Sequence, residues 1–392
     1  MLRTRRFLLQ PTAGQRTALG RLLDGQRELY NAALEERRGA WRWERRRVTR
    51  FEQFRALTGF EHPVLEFGVV PARGTLARLD RAFAGFYRRC QRGQKPGFPR
   101  FKGKGRFDSV EYGDRGCWSY KPETRRISFL GVGQVRFAAH RRPIAGIPKT
   151  CVVRRQGRRW WAYVVFDVAT PEPLAPTGAA VGIDLGVREL VATSDGELVA
   201  NPRHLHRSAQ RLAAAQRLVA GRRRGSRRRR KAAARVAAVH AKIVEQRRNL
   251  HHHLTRRLVD RYDLIVHEDL AIANLTRRPA PRPNGEGGFD PNGAAAKAGL
   301  NREILGAGWG QLLWMLSYKA EEAGRELIAV DPCHTSQTCH ACEHIDGRNR
   351  TGATFRCSNC GLEAHADINA AQNILRAGLA LRRAREAGTQ VA

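Results

Sequence analysis

The 392-residue sequence is short of acid: 36 Asp and Glu stand against 71 Lys and Arg, a net charge of +35. On a folded surface that excess points to a polyanionic partner. Nucleic acid is the first candidate and an anionic membrane surface the second. The chain also lacks any run of about 18 apolar residues, which excludes a membrane-spanning helix. Its basic-then-apolar opening, residues 1–9, is far too short in its apolar part for a signal peptide. A cytoplasmic, nucleoid-associated location without a membrane partner is therefore expected. A disulfide framework is missing too. Of eight cysteines, four fall in two CxxC pairs and four are scattered, which is metal usage. The apolar fraction is ordinary, and the length leaves room for two or three domains.

The N-terminal part reads as a short strand over 3–9, followed after Thr12, a candidate helix cap, by helical periodicity to about Gln91. Within it, Trp41-Arg42-Trp43-Glu44-Arg45-Arg46-Arg47 could stack on bases. It reads rather as a helix with core aromatics and a solvated basic face. The Gly/Pro-punctuated basic segment 95–106 suits phosphates or is a plain linker. Residues 107–168 read as strands of a small β-barrel or sheet, which the first strand can join, leaving the helical block as an insertion. Pro171-Glu172-Pro173-Leu174-Ala175-Pro176 is a linker.

Val181-Gly182-Ile183-Asp184-Leu185-Gly186-Val187 places one acid in a short apolar run, too short for a helix. Asp195-Gly196 between two further apolar runs is a strong hairpin signal. A strand carrying an acid and followed by two antiparallel strands is how an RNase H-like nuclease sheet begins. Equally, Asp184 could cap a turn at a strand end. Segment 204–260 is a helical hairpin hinged near Gly221–Gly225. It carries Arg222-Arg223-Arg224 and Arg227-Arg228-Arg229-Arg230-Lys231, dense enough to expect phosphate contacts. Leu264–Leu270 is a second apolar strand ending in Glu268 and Asp269. The Pro/Gly/Asn-rich piece from Pro279 to Gly299 reads as a mobile loop. An amphipathic helix with its apolar stripe from Leu305 to Ala320 and its end near Gly324 follows, then a strand over 327–331.

Cys339-His340-Ala341-Cys342 and Cys357-Ser358-Asn359-Cys360 are separated by 14 residues. Two such turns complete a closed, tetrahedral, structural Zn²⁺ shell. His344 and Cys333 lie nearby but are weaker candidates than the symmetrical pairs. Asp367 then opens a helix. It is either a first-turn acid favoured by the helix dipole or a third carboxylate facing Asp184 and Glu268. Three converging acids suit Mg²⁺, which takes hard oxygen ligands, and two such ions suit phosphodiester hydrolysis.

The segments Gly182-Ile183-Asp184-Leu185-Gly186, His267-Glu268-Asp269-Leu270, Thr335-Ser336-Gln337-Thr338-Cys339-x-x-Cys342, Cys357-x-x-Cys360 and Asp367-x-Asn369-Ala370-Ala371-x-Asn373-Ile374 resemble the TnpB (OrfB) family. These are insertion-sequence RNA-guided endonucleases related to type V CRISPR effectors. The resemblance is strongest over 180–376. It implies an α/β, RNase H-like RuvC nuclease domain (176–332 and a final helix 365–380) with a zinc ribbon inserted at 333–364. It implies an N-terminal wedge β-barrel (1–10 and 96–175) interrupted by a helical recognition domain (11–95), and a tail at 381–392. The catalytic, Mg²⁺-binding triad would be Asp184, Glu268 (preferred over Asp269 on the family pattern alone) and Asp367. One Zn²⁺ would sit on Cys339, Cys342, Cys357 and Cys360. The implied activity is RNA-guided, Mg²⁺-dependent DNA cleavage, with a guide RNA and target DNA as partners, pairing supplying the specificity. A monomer is expected. A conventional RNase H-like transposase and a non-cleaving DNA-binding repressor are the alternatives.

Overall fold

A computed structural model describes residues 1–59, 63–138 and 143–389. The chain divides into two compact units, Met1–Thr170 and Pro171–Ala392, and the break falls at the Pro-rich linker.

In the first unit, strand β1 (Leu2–Leu9) leads into helix α1 (Ala13–Glu44), which starts in a capping box on Thr12 and Gln15. Helices α2 (Arg50–Ala56) and α3 (Val69–Gln91) follow. Strands β2 (Ser109–Tyr112), β3 (Trp118–Lys121), β4 (Arg126–Phe129), β5 (Gly133–Ala138), β6 (Ile147–Gln156) and β7 (Arg159–Asp167) complete it. They form one antiparallel sheet in the order β2-β6-β7-β1-β5-β4-β3. β1 pairs with β7 along its whole length, so the helices are an excursion between the first strand and the rest of its sheet. Among the described residues β2 and β3 do not pair. The sheet is thus not closed by hydrogen bonds into the expected barrel. Trp41 and Trp43 correct another expectation: they are 57% and 77% exposed rather than core. The helix buries its Leu19, Leu22, Leu23 and Leu34 face instead.

The second unit holds β8 (Ala180–Asp184), β9 (Glu189–Thr193) and β10 (Leu198–Ala200), with Gly196 (φ +94°) turning the Asp195-Gly196 hairpin. The short α4 (His204–Arg207) precedes α5 (Ala209–Ala220) and the 35-residue α6 (Arg227–Arg261). Next come β11 (Leu264–Glu268) and the short α7 (Ile272–Leu275). The stretch read as a mobile loop is partly ordered. It contains a small hairpin, β12 (Arg282–Pro283) with β13 (Phe289–Asp290), and the start of α8 (Ala294–Ala307). Its alanines favour a helix once the glycines are passed. Gly308 (φ +74°) separates α8 from α9 (Trp309–Ala323), so the expected single helix is two. Then come β14 (Glu326–Val330), the ribbon strands β15 (Arg350–Thr351), β16 (Thr354–Arg356) and β17 (Glu363–His365), and α10 (Ala366–Thr389). α10 thus runs through most of the expected tail, whose last three residues lie outside the described ones.

The central sheet runs β10-β9-β8-β11-β14, with β8, β11 and β14 parallel. Strand side chains alternate between faces. Val181, Ile183 and Ile265 pack with Leu254 and Leu258 of α6 and Leu312 and Leu316 of α9. Leu264, Val266, Ile328 and Val330 pack with Ile374 of α10 on the opposite face.

Candidate active site and zinc ribbon

The same alternation aims the acids. Asp184 lies two residues from Gly182, which faces α10, and Glu268 lies two residues from Val266, which faces α10 as well. Ile183 pairs with His267, so Asp184 and Glu268 end neighbouring parallel strands one step further on. That is the carboxyl edge at which open α/β sheets place their ligands. α10 brings Asp367 in its first turn. Its close approach is licensed by two glycines. A Cβ on Gly182 would collide with the Ala371 carbonyl and the Leu375 amide, and one on Gly378 with the Val266 methyls.

The electrostatics record the convergence. Burial first, then the charges of Glu268 and Asp367, push the Asp184 carboxyl up to about 7; Arg350 and the Leu185 amide oppose the rise. Glu268 is raised by burial, against a hydrogen bond from Thr335 and the charge of Arg350. Among the described residues these three acids do not form a cage with all ligand atoms within 4.8 Å, as the cysteines do. Asp269, exposed, stands outside the cluster.

Two residues at this site carried no sequence signal of their own. Arg350, on β15, donates from Nη2 to Asp367 Oδ1 at 2.6 Å and is the cation among the acids. One arginine among 71 basic residues cannot be singled out by composition. Thr335 donates to Glu268 Oε1 at 2.5 Å. It was visible only as part of a motif.

The four ribbon cysteines gather as their spacing implies. Sγ of Cys339 and Cys360 are 3.7 Å apart, and Sγ of Cys342 and Cys357 are 3.5 Å apart. Four sulfurs each about 2.3 Å from one ion stand roughly 3.8 Å from each other, so the set fits Zn²⁺. The His344 amide and the Asn359 side chain lower the Cys342 thiol to about 6, whereas Cys360, against the Leu362 amide, is raised to about 12 by its contacts with Cys342, Cys357 and Cys339, as expected of thiols crowded on one site. His344 and Cys333 are exposed and not in the cluster.

The arginine run at the hairpin of α5 and α6 divides by role. Arg229 donates to the carbonyls of Val219 and Arg222 at 2.8 and 2.9 Å, fastening the hinge. Arg222, Arg223, Arg224, Arg227, Arg228 and Arg230 are exposed. Among the described residues, no helix is long and apolar enough to cross a membrane.

Comparison with known proteins decides the family. The chain is 33% identical over 386 residues, 96% of its length and 89% of the relative's, to a "Putative RNA-guided DNA endonuclease" of Streptomyces pristinaespiralis. The chain belongs to the TnpB (OrfB) family. "Putative RNA-guided DNA endonuclease InsQ" of Escherichia coli is 30% identical, over 79% of this chain and 75% of its own. Family models described as "Probable transposase", "Cas12f1-like, TNB domain" and "Helix-turn-helix domain" match residues 163–278, 309–374 and 1–46. In this TnpB chain residues 1–44 hold one strand and one 32-residue helix. The solved "mini-RNA-guided endonuclease CRISPR-Cas_phi3" shares the fold at TM-score 0.50 and 10% identity, covering 97% of this chain and 92% of that one.

Proposed function

We propose that this TnpB-family chain is an RNA-guided, Mg²⁺-dependent DNA endonuclease associated with a transposable element, with a RuvC-like centre at Asp184, Glu268 and Asp367. The observation that carries the reading is the cluster itself. Asp184 is half-buried beside two further carboxylates and pushed up to about 7, in a chain that carries +35 overall. Like charges so arranged are costly without a cation, and the donors are hard oxygens, which fit Mg²⁺ rather than zinc thiolate chemistry.

Bound there, Mg²⁺ supplies a lowered water pKa and the charge that stabilises the leaving oxygen. The chain's own residues do the rest. Asp184, from the innermost strand, is the acid the other two share. Glu268 and Asp367 flank it from β11 and α10. Arg350 balances their charge, and its planar guanidinium has the fork geometry that phosphate oxygens accept. Cys339, Cys342, Cys357 and Cys360 hold one Zn²⁺, which keeps the ribbon, and with it Arg350, folded. The first unit corresponds to a wedge domain with a helical recognition insertion. It would meet the guide RNA and target DNA; in the second unit, the exposed arginines at the hairpin of α5 and α6 would contact nucleic-acid phosphates.

The test is to purify the chain, sequence the RNA that accompanies it, and present DNA matching that RNA. Cleavage that needs Mg²⁺ and is lost in Asp184→Ala is the expected result. Cleavage by Asp184→Ala at the parental rate sinks the triad, and the absence of any discrete bound RNA returns the case to a conventional transposase.

A further inference from the structure

The Glu268 carboxylate ends a strand at the edge of the site, and among the described residues one hydrogen bond holds it: the Thr335 hydroxyl, 2.5 Å from Oε1. The same hydroxyl lies 3.1 Å from the Pro332 carbonyl. It has one proton, and the shorter, charge-assisted contact to the carboxylate is the stronger claim on it. Thr335 is buried.

Thr335 is itself gripped from α10. Asn373 Nδ2 donates to the Thr335 carbonyl at 2.9 Å and to the Thr338 carbonyl at 2.7 Å. Asn369, one turn earlier on the same face, donates to the Thr338 carbonyl at 2.8 Å and accepts from the His340 amide at 3.0 Å. Both asparagines are buried. The helix that presents Asp367 therefore clamps the segment entering the first zinc knuckle, and that segment hands a hydroxyl to Glu268. Four amide hydrogen bonds, three of them buried, hold this loop, and each buried polar group must find its partner or lose stability.

We propose that Thr335 is a positioning residue: clamped by Asn373, it fixes one Glu268 oxygen and turns the other towards the metal site shared with Asp184. The proposal rests on the metal-dependent nuclease reading above. Outer-shell partners that orient a ligating carboxylate commonly account for about 10–100-fold in metal affinity or activity. The clamp also ties two of the three acids together through hydrogen bonds, so α10 sets the position of Asp367 directly and the orientation of Glu268 through the loop.

The test uses the full chain with its accompanying RNA, in four forms: parent, Thr335→Val, Thr335→Ala and Thr335→Ser. Mn²⁺ binding is titrated by electron paramagnetic resonance, the Mg²⁺ concentration for half-maximal cleavage is measured, and zinc content is counted. Thr335→Val is expected to weaken Mn²⁺ binding and raise the Mg²⁺ midpoint by about 10–100-fold, with much of the rate regained at saturating Mg²⁺ and zinc unchanged. Thr335→Ala, which places no methyl against the carboxylate, is expected to do the same, and Thr335→Ser to restore most of the affinity. Parental Mn²⁺ affinity in both Thr335→Val and Thr335→Ala overturns the role. So does Thr335→Ser failing as badly as they do, because the loss would then lie in packing. If the parent itself has no Mn²⁺ site that Asp184→Ala removes, the metal centre falls and the positioning role with it.

Discussion

Gly182 and Ala371 mark the point where α10 rests on the first acid-bearing strand: a single added methyl on Gly182 would overlap the Ala371 carbonyl oxygen. Leu375 N would stand 2.6 Å from the same methyl, so backbone rather than a movable side chain blocks it. Gly182→Ala is expected to destabilise the chain by about 1–3 kcal/mol, the usual range for overpacking a close-fitted interior. Because α10 carries Asp367, cleavage should fall as well, though no acid has been touched. Denaturant unfolding beside a cleavage assay checks both, and parental stability would refute the close approach.

Asp184 is held at a cost in the metal-free chain. Burial and two neighbouring carboxylates oppose its charge. Asp184→Asn is expected to abolish cleavage while raising the melting temperature in Mg²⁺-free buffer by about 2–4 °C, the shift that roughly 1 kcal/mol makes in a unit of 150–250 residues. Stability bought at the expense of activity is the signature of a functional acid. A lower melting temperature would mean the carboxylate is structural.

Arg350 acts on the same charges with the opposite sign. Its ion pair with Asp367 is 2.6 Å long, and the Asp367 side chain is 14% exposed. Arg350→Ala is expected to melt lower than the parent without Mg²⁺ and to close part of that gap when Mg²⁺ is added, since the ion replaces the lost charge. Cleavage should drop at saturating Mg²⁺. A thermal-shift titration with Mg²⁺ reads the first two outcomes and a cleavage time course the third.

The ribbon should be inseparable from its metal. The parent is expected to carry one zinc per chain by elemental analysis, and Cys357→Ser to lose it together with cleavage, because Arg350 and Thr335 both belong to the segment that the metal folds. Cleavage at the parental rate by zinc-free Cys357→Ser would separate the ribbon from the site.

His251 gives a pH dependence. It is fully buried, its Nε2 donates to the Ala307 carbonyl at 3.0 Å, and among the described residues Nδ1 has no partner. Burial, then the charges of Arg247, His252 and His204, lowers it from 6.5 to about 4, the Ala307 hydrogen bond opposing. The unfolded chain therefore takes up a proton as pH falls through 6.5 while the folded chain does not, and stability is lost between pH 6.5 and 4. His251→Gln, which keeps a donor for Ala307, is expected to flatten the fall in melting temperature over that window. An unchanged slope would place the loss elsewhere.

The sequence by itself determined whatever depends on short-range periodicity. Two CxxC turns mark a candidate zinc site because each turn is local. The Asp195-Gly196 hairpin is a two-residue decision. The period of two along each strand sets Asp184 on the face of Gly182 and Glu268 on the face of Val266; that these are one face of the sheet is decided by the pairing of β8 with β11. Exposure of Trp41 and Trp43 was not legible, because helical spacing cannot say which stripe the neighbouring helices cover. Nor was the start of α8, where alanines follow a Pro/Gly stretch that reads as loop. Only the tertiary structure decided which cation enters the acid cluster and which hydroxyl holds Glu268. Arg350 lies 17 residues from Asp367 and Thr335 lies 67 from Glu268, and separations of that kind are closed by packing and carry no period in the chain.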